Sequence, residues 1–127
     1  MSLAHFTLAT RDAETTASFF TQIFGWKRLN VPGNTDVLAI WLDIGQDQQM
    51  HVLQIEGFEV SPFEKEFGRH FAFFFPAAEL PEIRDRLTAA GVMVIPPIRE
   101  TPFERFFFQD PTGYMWEVID RDHFVRE

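Results

Sequence analysis

The chain has 127 residues, a formal net charge of −8 and no cysteine, and sixteen of its residues are Phe. The acidic balance argues against nucleic acids and anionic membrane surfaces as partners, because both would repel it. The lack of cysteine excludes disulfides, thiolate catalysis and cysteine-based zinc sites, and it fits a reducing compartment. We find no signal peptide and no apolar run near the roughly 20 residues that span a bilayer, so we expect a cytoplasmic protein.

The first half of the sequence predicts the element order β-α-β-β-β. Residues 3–9 read as a strand whose side chains alternate between two faces. Asp12 stands where a helix N-cap is expected, and Gly25 stands where the helix should end. The buried face of this helix is predicted from residues at helical spacing: Ala17, Phe20 and Phe24. Three further strands are predicted at 26–31, 37–43 and 50–56, with the turn segments PGNTD and GQDQQ between them.

The second half repeats that order after a connecting segment. Residues 57–68 carry turn formers and charge without a strand period, and we expect the EKE charges within them to be solvated. A strand over 70–75 leads into a helix with Pro81 in its first turn and Gly91 at its end. Its buried face is predicted to consist of Ile83, Leu87 and Ala90. The last three predicted strands are 92–95, 103–109 and 114–120.

A shift of the sequence by 65 residues superposes identical residues of the two halves. The matched pairs are His5 with His70, Phe6 with Phe71, Ala13 with Ala78, Glu14 with Glu79, and Pro32 with Pro97. Because the order of elements matches as well, we predict an internal duplication. The prediction is a single α+β domain over 1–127, with module one at about 1–57, a linker at about 58–68 and module two at about 69–127.

Candidate site residues lie in the first and last strands of the two modules. His5 and His70 begin the modules, and Glu117 and Gln54 lie in the closing strands. A carboxylate such as Glu117 inside an apolar strand costs free energy unless it is paired, protonated or bound to a metal. If the modules pair their sheets, the four side chains can converge. Two imidazoles, a carboxylate and a neutral oxygen form a recurring set of ligands for a divalent metal.

Two segments carry a resemblance to a known family. They are HFTLATRDAETTASFFTQIFGWK and FFFQDPTGYMWEVID. With them the chain resembles, over essentially its whole length, the vicinal oxygen chelate superfamily. This superfamily includes glyoxalase I, fosfomycin-resistance thiol transferases, methylmalonyl-CoA epimerase, extradiol dioxygenases and bleomycin-resistance proteins. The resemblance implies two βαβββ modules that form a cupped, barrel-like mixed sheet around a metal site, commonly built across a homodimer.

The resemblance also implies metal ligands. The family's metal positions fall on His5, His70 and Glu117 of this sequence. The fourth position, at the end of the first module, often holds Glu in the family and holds Gln54 here, with His51 and Glu56 as nearby rivals. The implied cofactor is a divalent ion, which the sequence does not identify among Ni, Zn, Mn, Fe and Co.

The implied function is that of a metal-dependent enzyme of the glyoxalase I type, a lyase or isomerase. Its small substrate would chelate the ion through two adjacent oxygens, the ion would stabilise an oxyanion as a Lewis acid, and Glu117 would be available as a base. The alternatives are a non-catalytic small-molecule-binding protein of the bleomycin-resistance type, or a relative of the extradiol dioxygenases or the epimerases. Arg99 and Arg105 could meet an anionic substrate group, but a surface position is the simpler expectation for both.

Overall fold

The computed structural model describes residues 1–126, which divide into two compact units, Met1–Glu59 and a second unit that begins at Val60. Within residues 1–126 there are two α-helices, a short 3-10 helix and seven strands. Neither α-helix of the described residues is long and apolar enough to cross a bilayer. The predicted α+β class is confirmed.

The first unit consists of a mixed sheet and one helix. The helix is α1 (Ala13–Phe24), and the strands are β1 (His5–Thr10), β2 (Lys27–Leu29), β3 (Ala39–Gly45) and β4 (Gln48–Gln54). The strands lie in the order β1-β4-β3-β2. β1 is parallel to β4, and the other neighbours are antiparallel. This is the element order that the sequence predicts.

Local signals explain where α1 begins and ends. The carboxylate of Asp12 accepts a hydrogen bond from the backbone N–H of Thr15 at 3.0 Å, as an N-cap does. Gly25 has a φ of 74° and donates its N–H to the carbonyl of Thr21, which closes the last turn. The buried face consists of Ala13, Thr16, Ala17, Phe19, Phe20 and Ile23. Of the predicted face, only Phe24 is partly exposed.

The second unit, as far as it is described, has its own three-stranded sheet. Its elements are β5 (Phe71–Phe75), α2 (Leu80–Ala89), β6 (Arg105–Gln109) and β7 (Met115–Asp120), with the sheet order β5-β7-β6. β7 is parallel to β5 and antiparallel to β6. A 3-10 turn over Ala77–Glu79 precedes α2, and Pro81 lies in the first turn of that helix as predicted. The buried residues of α2 are Leu80, Ile83 and Leu87.

Two predictions about the second unit are wrong. The predicted strand over 92–95 is reduced to an isolated bridge between Ile95 and Phe107. Pro96 and Pro97 follow directly, and because proline has no N–H to donate, the ladder cannot continue. Ala90, predicted on the buried face of α2, is exposed because the helix already ends at Ala89.

The turn between β6 and β7 is built around the carboxylate of Asp110. Its Oδ1 accepts the backbone N–H groups of Thr112, Gly113 and Tyr114 at 2.9, 2.9 and 3.1 Å. Its Oδ2 accepts the indole N–H of Trp116 at 2.9 Å. Burial raises the pKa of Asp110, against the opposing effect of these four donors. The Asp-Pro-Thr-Gly turn is therefore held by a buried side chain that only accepts hydrogen bonds.

We predict that Asp110→Asn lowers the free energy of unfolding by about 1–3 kcal/mol. An amide can present its oxygen to the turn or to Trp116, but its NH₂ group then faces the remaining donor. Urea unfolding followed by circular dichroism measures the loss. The same substitution in a Trp116→Phe background provides the control, because Phe removes the indole N–H. A penalty of equal size in both backgrounds would contradict this explanation.

Candidate functional site

Strand pairing brings five side chains onto one face of the second unit's sheet. Glu117 in β7 pairs with Ala72 in β5 and with Phe107 in β6. Side chains alternate along a strand, so His70, two residues before Ala72, projects to the same face as Glu117. Arg105, two residues before Phe107, does so as well. Three of these side chains, those of His70, Arg105 and Glu117, are polar.

His70 and Glu117, both predicted as ligands, are in contact. The imidazole Nε2 lies 3.1 Å from Oε1 of the carboxylate. The side chains are 22% and 7% exposed, so the pair is largely removed from water. The ring of Phe107 meets the imidazole edge-on, with the centroids 5.3 Å apart. The other ring nitrogen, Nδ1, lies 3.3 Å from the carbonyl oxygen of Lys65.

Both ring nitrogens of His70 therefore face oxygen acceptors. A neutral imidazole has one N–H, and if this group donates to Lys65, the lone pair of Nε2 is directed at Oε1 of Glu117. A proton between the two atoms would make this contact a hydrogen bond, whereas a divalent ion bound by both atoms would lie to the side of the line that joins them. A second ring N–H bonded to a backbone carbonyl is typical of histidine ligands. Two ligand atoms that bind one ion at about 2.0–2.2 Å in adjacent positions lie about 3 Å apart, so the separation of 3.1 Å fits a shared divalent ion as well as it fits a hydrogen bond.

The second oxygen of Glu117 is held by Arg105, and the expectation that Arg105 lies at the surface is wrong. Its Nη1 donates to Oε2 of Glu117 at 2.9 Å, and its Nη2 donates to Glu66 at 3.0 Å and to the carbonyl of Arg99 at 2.5 Å. The side chain is 2% exposed. Burial acts to lower the pKa of Arg105, but the two carboxylates outweigh it and raise the pKa, so the guanidinium stays charged.

The two carboxylates of the EKE segment are buried, which contradicts the expectation that they are solvated, whereas Lys65 is exposed as expected. The side chains of Glu64 and Glu66 are only 3% and 8% exposed. Glu66 accepts the N–H groups of Ile98 and Arg99 at 2.7 and 3.0 Å, and Glu64 accepts that of Met115 at 2.8 Å. Burial acts to raise the pKa of Glu66, but its N–H donors and Arg105 lower it overall. Apart from Arg69, which pairs with Glu64 five residues away, the partners lie more than 30 residues away, so no local signal could have shown the burial of Glu66.

The first unit presents a column of stacked rings that includes His5. Trp41, His51 and His5 stack in that order, with centroid separations of 3.9 and 4.1 Å and interplanar angles of 4° and 14°. Burial, and then the proximity of His5, lower the pKa of His51, which favours its neutral form. Nε2 of His51 lies 2.8 Å from Oε1 of Gln49, and an N–H donated there leaves the lone pair on Nδ1.

The structure does not bring Gln54 together with His5. Gln54 pairs with Thr10, which points to the sheet face opposite that of His5. Its Oε1 accepts the backbone N–H of Ala13 at 3.1 Å, at the beginning of α1. The amide oxygen that would serve as a ligand is therefore engaged by the helix.

The two rivals of Gln54 differ in position. His51 shares a sheet face with His5, whereas Glu56 follows the end of β4 and is exposed. The parallel rings of His5 and His51 cannot both direct their in-plane lone pairs at one ion. Among residues 1–126, no group of three or more His, Cys, Asp or Glu side chains is arranged to hold a metal ion. Two imidazole–carboxylate contacts lie in these residues, His123–Asp120 at 2.7 Å and His70–Glu117 at 3.1 Å, and only the second joins two predicted ligands.

Comparison with known proteins identifies related sequences and structures. The sequence model of the Glyoxalase/Bleomycin resistance protein/Dioxygenase superfamily matches residues 2–118. No curated protein matches the sequence significantly. The fold is shared with the fosfomycin resistance protein FosX from Listeria monocytogenes, at a TM-score of 0.76 and 21% identity over 93% of this chain and 89% of that chain. A glyoxalase family protein from Bacillus anthracis has a TM-score of 0.75 at 20% identity, over 94% of both chains.

One of the similar structures contains a metal and a small molecule. A variant of the Listeria monocytogenes FosX, complexed with Mn(II) and 1S,2S-dihydroxypropylphosphonic acid, has a TM-score of 0.78 at 21% identity. The alignment covers 94% of this chain and 91% of that chain. At this level of identity the likeness shows a common fold.

We predict that Gln54→Met lowers the free energy of unfolding by about 1 kcal/mol and leaves the amount of bound divalent metal unchanged. Methionine keeps the length of the side chain but leaves the N–H of Ala13 without its acceptor. Urea unfolding and elemental mass spectrometry measure the two effects, with the exposed Glu56→Gln as a control expected to change neither. Loss of metal at unchanged stability would restore Gln54 to the ligand set.

Proposed function

We propose a function on one premise: this chain belongs to the Glyoxalase/Bleomycin resistance protein/Dioxygenase superfamily. On that premise it is a divalent-metal-dependent enzyme that acts on a small molecule with two adjacent oxygen atoms. The observation that carries the proposal is the placement of Nε2 of His70 3.1 Å from Oε1 of Glu117, with Nδ1 of His70 directed at a carbonyl. The Mn(II) in the FosX complex supports a divalent ion as the cofactor.

His70 and Glu117 form the core of the proposed ligand set. His5, which the family resemblance adds, is exposed and so is accessible to an ion. Gln54 stays outside the set, because its oxygen accepts the N–H of Ala13. His51 is the alternative imidazole of the first unit, and burial lowers its pKa, which favours the neutral form that a ligand requires. We also propose a homodimer as the working assembly, following the same resemblance.

The chemistry divides between the cofactor and the side chains. A divalent ion, when bound, supplies Lewis-acid stabilisation of negative charge that develops on a substrate oxygen. Glu117 serves as a ligand rather than as a base, because Arg105 holds Oε2 and Oε1 lies against His70. It could take a proton from the substrate only if Oε1 left that position. Arg105 is buried and both of its terminal nitrogens are bound by carboxylates, so it does not bind an anionic group of the substrate.

These roles favour a reaction of the glyoxalase type, an isomerisation or lyase step in which the substrate is held through vicinal oxygens. The ring column favours a second candidate function, non-catalytic binding of a planar small molecule. The outer ring of the column belongs to the exposed His5, and a flat ligand could extend the stack there. The two functions differ in that the binding protein needs no metal.

We predict that the purified chain retains about one divalent ion, and that His70→Ala, His5→Ala and Glu117→Gln each weaken metal binding by about tenfold or more. Gln is chosen at position 117 because its amide oxygen still accepts the N–H of Arg105, so the fold is preserved. Elemental mass spectrometry of protein purified without chelator gives the metal content.

His123→Ala is the matched control, because this imidazole is 70% exposed and contacts Asp120 rather than the proposed ligands. Its metal content should equal that of the unmodified chain. No metal in the unmodified chain, and none taken up on titration with nickel, zinc, manganese, iron or cobalt, would refute the enzyme and favour the binding protein.

A further inference from the structure

We infer that Arg105 is a positioning residue that determines which oxygen of Glu117 is available to a metal ion, by binding the other one. The inference rests on the proposed function, since it concerns the same ligand pair. Nη1 of Arg105 donates to Oε2 of Glu117, while Oε1 faces Nε2 of His70. The two oxygens of one carboxylate are thus assigned to two different partners.

The guanidinium is itself fixed in place. Nη2 donates to Oε2 of Glu66 at 3.0 Å and to the carbonyl of Arg99 at 2.5 Å. Glu66 is held in turn by the backbone N–H groups of Ile98 and Arg99. With only 2% of its side chain exposed, Arg105 cannot follow Glu117 to another position.

Glu66 also explains why Arg105 leaves one oxygen of Glu117 free. An arginine paired with a single carboxylate commonly binds both oxygens through two parallel N–H groups. Here the guanidinium is divided between two carboxylates, because Nη2 is drawn to Glu66 and only Nη1 reaches Glu117. Oε1 therefore remains directed at His70, where one oxygen and one nitrogen can bind the same ion.

The network is a costly way to stabilise a fold, which points to a role in the site. Nε of Arg105 has no hydrogen-bond acceptor among the described residues, although it is buried. Buried ion networks are often no more stabilising than apolar side chains of the same volume, and neighbouring positions of β6 are apolar and 1% exposed, as at Phe106 and Phe107. An apolar residue at position 105 would avoid this cost but would leave Oε2 of Glu117 without a partner.

Arg105 has two opposite effects on a cation at this site. Its charge repels the ion, while its hydrogen bond orients the ligand oxygen. A neutral residue would remove both effects together. Arg105→Lys keeps the charge but replaces the planar guanidinium, with its two terminal nitrogens, by a single ammonium group. The ammonium cannot reproduce the separate bonds to Glu66 and Glu117. This variant therefore isolates orientation from repulsion.

The test is a titration of the full chain with Mn(II), in which electron paramagnetic resonance measures the free ion and the spectrum of the bound ion. We expect Arg105→Lys to bind Mn(II) about ten- to a hundredfold more weakly than the unmodified chain, with a changed spectrum of the bound ion. Arg69→Lys is the matched control. Arg69 forms a bidentate pair with Glu64 in the same unit and has no hydrogen bond to His70 or Glu117, so its Mn(II) affinity should be unchanged.

Arg105→Gln is the second variant, for use if Arg105→Lys does not fold. If Arg105 acted only by repelling the ion, this neutral variant would bind Mn(II) more tightly than the unmodified chain. If Arg105 orients Glu117, the variant binds Mn(II) more weakly. Unchanged affinity and an unchanged spectrum in Arg105→Lys would overturn the inference, as would equal losses in Arg105→Lys and Arg69→Lys. Absence of Mn(II) binding in the unmodified chain, with Glu117→Gln no different, would instead overturn the proposed function.

Discussion

The carboxylate of Glu117 within β7 constrains the structure around it. Its side chain is 7% exposed in a strand of buried apolar residues, and such a group destabilises the fold unless its charge is matched. Arg105 matches it at one oxygen and His70 meets the other. Arg105 then requires Glu66, which lies in the connection that precedes β5. The connection is also tightly folded, since a Cβ at Gly68 would lie 2.1 Å from the carbonyl oxygen of Phe63.

The same pairing that stabilises the charge also differentiates the two oxygens of Glu117. A carboxylate bound at one oxygen by a fixed guanidinium keeps a defined orientation, so its other oxygen is already oriented to serve as a ligand. Stability and the proposed chemistry are therefore not separable in this region. Residues between 64 and 70 contribute to both, since Glu66 fixes Arg105 and the carbonyl of Lys65 faces Nδ1 of His70.

In the first unit, the sheet face to which each side chain points decides which residues can belong to one site. His5 and His51 lie on one face of the sheet, where they stack with Trp41. Gln54 lies on the other face, where it accepts the N–H of Ala13. A change of one residue in register exchanges the faces of a whole strand. The sequence pattern alone left Gln54, His51 and Glu56 as competing choices, and the pairing of β1 with β4 is what separates them.

The sequence by itself determined the features that depend on neighbours three or four residues apart. Helix α1 begins after Asp12 and ends before Gly25, and Pro81 lies in the first turn of α2. All three positions could be predicted from the residues that favour helix ends. The sequence also singled out His70 and Glu117, which are 47 residues apart and in contact. Only the tertiary structure decided that Arg105 and Glu66 are buried partners, that Gln54 faces α1, and that Ile95 makes a bridge rather than a strand. The reason is physical: a helix end is specified within one turn of chain, whereas the partner of a buried charge is specified by strand register and by segments 12 to 39 residues away.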